Sequence, residues 1–253
     1  PEAEVSEIQG DHRFMQCARC CSDDTWNAEK LIDGMFEAMG DGTSIPPEMI
    51  PRCPHCGGEA FPWVRGYGNF LEGTKYEGEY AKVSEYLSVH REKKILFLEL
   101  GVGRLTPMFI QEPFWYLTLT LPQTSYISVN NRYGYLPVEI EDRGMVILND
   151  IGRVLAERIA GADALLIGAG NGLSITEGLH LFADNRAFEE LFGDLKYRYG
   201  ISCILDGMLA RWPSEEEYWG FWSRLIRHYC IGYSLSACMR DLRAISGGKD
   251  CFV

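Results

Sequence analysis

No stretch of this sequence is apolar for anything near the roughly 20 residues that a membrane-spanning helix needs, so no membrane partner is expected. Basic residues are scarce as well. There are 24 Lys and Arg against 36 Asp and Glu, for a formal net charge of −12. A general nucleic-acid binder needs a basic face to displace counterions, so no nucleic-acid partner is expected either. The sequence has no internal repeat and no low-complexity tract. Its start, Pro1-Glu2-Ala3-Glu4, shows neither the basic nor the apolar region of a secretion signal. Nine cysteines is an odd number, and Cys203, Cys230, Cys238 and Cys251 sit inside apolar segments. Reduced thiols in a cytoplasmic protein explain this better than a disulfide framework. The 253 residues suffice for one large domain, or for a large and a small one.

Residues 12–75 stand apart. They are rich in Cys, Gly and Pro, with a helix expected only near Ala28–Met39. Strand-like and helix-like segments alternate through the rest. Ile95–Leu100 and Ser125–Asn130 read as strands, and Asp150 can cap a helix carrying Ile151, Val154, Leu155 and Ile159. Ala164–Ile167 reads as a buried strand and Ala187–Tyr199 as a helix. Ser214-x-x-Glu217 is a capping box ahead of a helix with Tyr218, Phe221, Trp222, Leu225 and Ile226 on one face. Ser234 is expected to open a last helix, stopped at Gly247-Gly248, before a strand start at Cys251. Alternating strands and helices imply an α/β fold, a Rossmann-like parallel sheet with helices on both faces.

Two of those strands end in glycine loops: Gly168-Ala169-Gly170-Asn171-Gly172-Leu173-Ser174 and Gly101-Val102-Gly103. Ligands of parallel sheets bind beyond the carboxyl ends of the strands, so both loops can face one crevice. Glycines let the backbone turn tightly, and a following helix start offers N–H groups to a phosphate. The expected ligand is a dinucleotide or another phosphorylated compound. The spacing is G-x-G-x-G rather than G-x-G-x-x-G, with no clear acidic residue about 20 positions on to hold a ribose. A glycine-rich turn without a ligand is the plainer reading.

Cys17-Ala18-Arg19-Cys20-Cys21 and Cys53-Pro54-His55-Cys56-Gly57 form two knuckles about thirty residues apart, the pattern of a zinc ribbon. Cys17 can pair with Cys20 or with Cys21. A closed set of four thiolates leaves no open coordination position, so zinc here is expected to be structural.

Together these features resemble the sirtuins, most closely the macrodomain-linked sirtuins of microbes. The residues that carry the resemblance are Gly168–Ser174, Phe188, Tyr199-Gly200, the block Glu216–Arg224, Gln9-Gly10-Asp11, the knuckles, Glu99–Gly103 with Thr106-Pro107, and Asn130. The order differs from the family's: the zinc half comes first and the glycine-loop half second, as in a circular permutant. The resemblance implies a Rossmann-like domain over 1–11 and 76–253 and a zinc module over 12–75. It favours Cys21 over Cys20 beside Cys17, Cys53 and Cys56. It implies NAD held by Gly168, Ala169, Gly170, Gly172, Leu173, Ser174, Arg186, Phe188, Gly101, Val102, Gly103, Thr106 and Asn130.

The implied activity is NAD-dependent ADP-ribosyl transfer to a protein acceptor such as a lipoylated glycine-cleavage H-like carrier. A macrodomain hydrolase is the implied partner that reverses the mark. Gln9 falls where deacylating relatives hold a general-base histidine, and glutamine can only hydrogen-bond. The family's TTNxD loop is not found between Val253 and Gln9. A catalytically silent NAD or ADP-ribose binding module is therefore the second reading. The plainer readings are a surface position for His12, a solvated Arg186, and core packing for Trp222.

Overall fold

In a computed structural model, residues 5–66, 68–103, 107–130, 134–148, 158–176 and 178–253 are described. The expected helix after Asp150 and the site call at Thr106 lie outside them. The elements, in order, are β1 (Gly10–Cys17), β2 (Thr25–Asn27), α1 (Glu29–Met39), β3 (Ala60–Val64), α2 (Thr74–His90), β4 (Ile95–Leu100), α3 (Gln111–Thr120), β5 (Thr124–Asn130), β6 (Gly144–Leu148), β7 (Ala164–Ala169), α4 (Asn171–Thr176), α5 (Arg186–Tyr199), α6 (Ile204–Leu209), α7 (Glu215–Ile226), α8 (Ala237–Ser246) and β8 (Asp250–Phe252). Among the described residues no helix is long and apolar enough to cross a membrane.

The chain forms two compact units. One contains residues 1–6, 79–178 and 235–253. Its centre is a five-stranded sheet in the order β6-β5-β4-β7-β8, and every pairing is parallel. All six residues of β4 are buried, as a central strand covered on both faces requires. Alternation sorts them. Leu96, Leu98 and Leu100 join Ile127, Val129, Leu165 and Ile167 on one face. Ile95 and Phe97 join Tyr126, Leu166, Phe252, Tyr86 of α2 and Phe114 of α3 on the other. Tyr86 also ties the edge, donating to the carbonyls of Leu165 (3.0 Å) and Asp250 (2.9 Å). The order matters for function. From β4 the chain builds outward through β5 and β6 on one side, then through β7 and β8 on the other, so the direction reverses between β4 and β7.

The other unit contains residues 7–78 and 179–234. A three-stranded antiparallel sheet, β2-β1-β3, belongs to it. So do the helices after Gly178, whose Phe188, Phe192, Leu195, Trp219, Phe221 and Trp222 share one core with Met15, Ile32 and Met35. The helices of 179–234 are thus grouped with the cysteine-bearing segment. α5 is capped by Asn185, whose side chain accepts from the Phe188 N–H (2.8 Å), and ends at Gly200 in the left-handed conformation (φ 71°). Ser214 caps α7 as its spacing predicts. Ser236, not Ser234, caps α8: its hydroxyl accepts from the Met239 N–H (3.0 Å). The nearer serine wins because its side chain is three residues from an unpaired helical N–H.

Two helix glycines separate packing from propensity. A Cβ at Gly220 would fall on the Thr43 carbonyl oxygen, whereas one at Gly193 meets only the Glu189 side chain. Gly220→Ala is expected to destabilise the protein by about 1–3 kcal/mol, and Gly193→Ala to stabilise it by about 0.5–1 kcal/mol. Thermal unfolding of the two variants checks both signs.

Candidate functional site

The two glycine loops follow the two strands between which the sheet reverses, the place where parallel sheets bind ligands. They touch each other through backbone. The Gly170 N–H donates to the Leu100 carbonyl (2.9 Å) and the Gly172 N–H to the Gly101 carbonyl (2.9 Å). A Cβ on Gly101 would lie 2.6 Å from the Gly172 Cα, and one on Gly170 would lie 2.6 Å from the Val102 Cα. Gly101 also has φ +62°. These glycines are therefore required by loop-to-loop contact whether or not a ligand is bound. Gly168 is filled differently: a Cβ there would meet Ile110 and Phe114.

One expectation is narrowed by this geometry. The N–H groups of Gly170, Gly172 and Leu173 already have partners in the protein, the last on the Gly170 carbonyl (2.9 Å). What the loops leave open is the surface of Ala169 and Gly103, both exposed, with Ser174 half-buried beside them in sequence. A Cβ on Gly103 meets nothing within 4 Å. Asn130, at the end of β5, donates from its side-chain amide to the Val102 carbonyl (2.9 Å) and fixes that loop. Gly101, Val102, Gly103, Gly168, Ala169, Gly170, Gly172, Leu173, Ser174 and Asn130 thus all lie at one end of one sheet.

Gln9, Arg186 and Phe188 belong to the other unit. Gln9 precedes β1, and its carbonyl accepts from the Arg65 N–H (2.9 Å). Its side-chain Nε2 is buried without a hydrogen-bond partner among the described residues. The register between β1 and β3 shifts between Asp11 and Met15, and such irregularities re-aim side chains. His12 lies in that stretch. It is half-buried and stacked on Trp222 (5.7 Å), not a surface histidine, and burial lowers its pKa to about 4 against the pull of Asp11. Trp222 is fully buried, as its helix face predicts.

Phe188 is buried in the apolar core against Phe192 (5.6 Å), with no surface for a ligand. Helical spacing with Phe192 and Leu195 is the signal that gives this away. Arg186 is solvent-exposed and paired with Glu190 (2.7 Å) one turn on.

The cysteine knuckles converge. The Sγ atoms of Cys17, Cys21, Cys53 and Cys56 all lie within 4.8 Å of one another. Cys17 and Cys56 are 3.7 Å apart, and Cys21 and Cys53 3.5 Å. Four sulfurs at 2.3 Å from one zinc would be about 3.8 Å apart, so the set fits a tetrahedral ion. The Cys53 and Cys17 thiols push Cys21 up to about 12, and backbone N–H groups lower two of the other sulfurs. The N–H of Cys21 leads in lowering the Cys17 thiol to about 6. Burial would raise Cys53, but the N–H groups of Cys56 and His55, together with the Cys21 and Cys56 thiols, outweigh it and hold it below its usual value. Cys20 is outside the set. It takes a left-handed turn (φ 48°), with its Sγ 3.5 Å from the Asn69 carbonyl.

With this geometry in hand, comparison with known proteins gives a direction. The chain is similar to proteins named as ADP-ribosyltransferases. It is 30% identical over 152 residues to a "Protein ADP-ribosyltransferase" of Staphylococcus aureus (strain Mu50 / ATCC 700699), covering 60% of this chain and 48% of that protein. It is 29% identical over 163 residues to a "Probable bifunctional ADP-ribose hydrolase/ADP-ribosyltransferase" of Fusarium oxysporum f. sp. cubense, covering 61% of this chain and 27% of that protein. The match thus spans about half of the first relative and about a quarter of the second. No family model matches the sequence.

Two predictions follow from the loops and the sulfurs. Gly172→Ala should lower the unfolding temperature, because its Cβ meets the Gly101 backbone, while Gly103→Ala should leave it unchanged. Equal thermal stability of both variants would contradict the loop contact. Elemental analysis of the purified protein should find one zinc per chain, retained in Cys20→Ser and lost in Cys21→Ser. Zinc loss from Cys20→Ser alone would reverse the ligand assignment.

Proposed function

We propose that the protein is an NAD-dependent protein ADP-ribosyltransferase of the macrodomain-linked sirtuin type, in circularly permuted order. The observation that carries this reading is the meeting of two glycine loops at the reversal point of a parallel sheet, in a chain similar to proteins named as ADP-ribosyltransferases. The motif resemblance supports the sirtuin type. A contact inside the first unit supports the permuted order: the Ser6 N–H donates to the Val253 carbonyl at 2.8 Å.

In this reading the loops hold the pyrophosphate and adenosine half of NAD, with Asn130 keeping the Val102 loop in place. The bond from ribose C1′ to nicotinamide breaks, a bond from C1′ to an acceptor nucleophile forms, and the acceptor's proton leaves. Gln9 is an amide that can hydrogen-bond and takes no proton. The acceptor class is a lipoyl-carrier protein of the glycine-cleavage H type. A macrodomain hydrolase is the proposed partner, in keeping with the paired names in the Fusarium protein. The proposed location is the cytoplasm.

Gln9 also favours a second reading, an NAD or ADP-ribose binding module without turnover, because an amide is no general base. Incubation with labelled NAD and a lipoylated carrier separates the two. Nicotinamide release with labelled carrier supports the transferase. Binding without release supports the module. Deacylation of acetyl-, succinyl- or lipoyl-lysine peptides should be absent, since a missing base costs about 10²–10⁴-fold. Robust deacylation abolished by Gln9→Ala would show the role given to Gln9 to be wrong.

A further inference from the structure

Inside the sheet one acid occupies a row that is otherwise apolar. Glu99 follows Ile95 and Phe97 on the same face of β4 and is completely buried. Its carboxylate accepts from the Tyr126 hydroxyl (2.5 Å), the Ser128 hydroxyl (3.0 Å) and the Gln111 side-chain amide (3.1 Å). All three donors are neutral. Taking a carboxylate out of water costs several kcal/mol unless it is well paired, and an apolar side chain would fill this row more cheaply. The partners show what the acid holds. Tyr126 and Ser128 stand on β5. Gln111 is the first residue of α3, where the segment that begins at Gly101 ends. The Glu99–Gln111 bond therefore ties the end of β4, just before the Gly101–Gly103 turn, to the start of α3.

We propose that Glu99, through Gln111, is a positioning residue that sets the Gly101–Gly103 turn against the start of α3 for a nucleotide, an inference that rests on reading this turn as part of a nucleotide site. The bond from Gln111 is strongest to an ionised carboxylate. Protonation of Glu99 removes the charge that strengthens the Gln111 bond and weakens its hold on the start of α3. The titratable group that faces Glu99 from β5 is Tyr126, whose hydroxyl burial pushes up. α3 contributes the neutral Gln111, and β7 presents Gly168 at the paired register.

A merely structural acid would behave in the opposite way with pH. Burial raises the Glu99 carboxyl above its usual range, against the pull of Tyr126, Ser128 and Gln111. The folded state then holds the proton more tightly than the unfolded chain, so this group favours folding as pH falls from the raised value to the usual one. Nucleotide affinity should fall over the same window while the contribution of Glu99 to thermal stability rises.

The test is calorimetry with ADP-ribose between about pH 8 and about pH 5, beside thermal unfolding, for the unaltered protein, Glu99→Gln and Gln111→Met. The unaltered protein should bind more weakly as pH falls. Both variants should bind about tenfold more weakly at neutral pH, the loss of one charge-assisted hydrogen bond, and show a flat profile. Gln111→Met decides the matter if Glu99→Gln does not fold. Variants that bind as the unaltered protein does, with the same pH profile, overturn this inference alone. Absence of ADP-ribose binding by the unaltered protein overturns the nucleotide-site reading, and this inference with it.

Discussion

Backbone meets backbone where the loop after β4 crosses the loop after β7, and the candidate site depends on that contact. Gly101 and Gly172 can approach only because neither has a Cβ. The Gly172 N–H bond to the Gly101 carbonyl then fastens the two loops at the point where the sheet reverses direction. The contact satisfies N–H groups that a free helix start would leave open, so the site is built before any ligand arrives. Preformed loops place less ordering cost on binding than loops that must close around a ligand.

The second unit solves a different problem. The stretch from β1 to β3 has three short strands and one α-helix, too little to hold a shape alone. It gains a core by sharing Met15, Ile32 and Met35 with the aromatic faces of α5 and α7, and a second constraint where four sulfurs converge. A structural zinc there would contribute directly to folding free energy. Arg224 adds a polar tie. Nearly buried, it donates to both carboxylate oxygens of Asp194 (2.7 and 2.8 Å) and to the Gly42 carbonyl (2.6 Å), linking α7, α5 and the loop after α1.

Much of this was legible in the sequence because period and punctuation agreed. β4 reads as a buried run, α5 and α7 carry apolar residues at helical spacing behind a cap, and the Cys-Pro-His-Cys-Gly turn announces its knuckle. Other elements were hidden. α3 spells Gln-Glu-Pro-Phe-Trp-Tyr-Leu-Thr-Leu-Thr, whose aromatic and β-branched residues favour a strand, and only packing of Phe114 and Thr118 under the sheet makes it a helix. α2 is rich in charge and buries Glu79, Tyr86 and His90, a face that does not look apolar in sequence. β1 and β3 hide in a Cys- and Pro-bearing segment because tertiary pairing, not alternation, defines them. In the site, the motif marks the glycines but not their mutual contact, since no single loop carries that information. The helical period of Phe188, Phe192 and Leu195 already argued for a core role that the family resemblance obscured.

The most direct measurement is backbone-amide NMR during titration with ADP-ribose. The account predicts that the perturbed amides cluster at Gly101–Gly103, Asn130 and Ala169–Ser174, the loops that meet at the reversal of the sheet. Saturable binding whose perturbations lie elsewhere and spare both loops would contradict it.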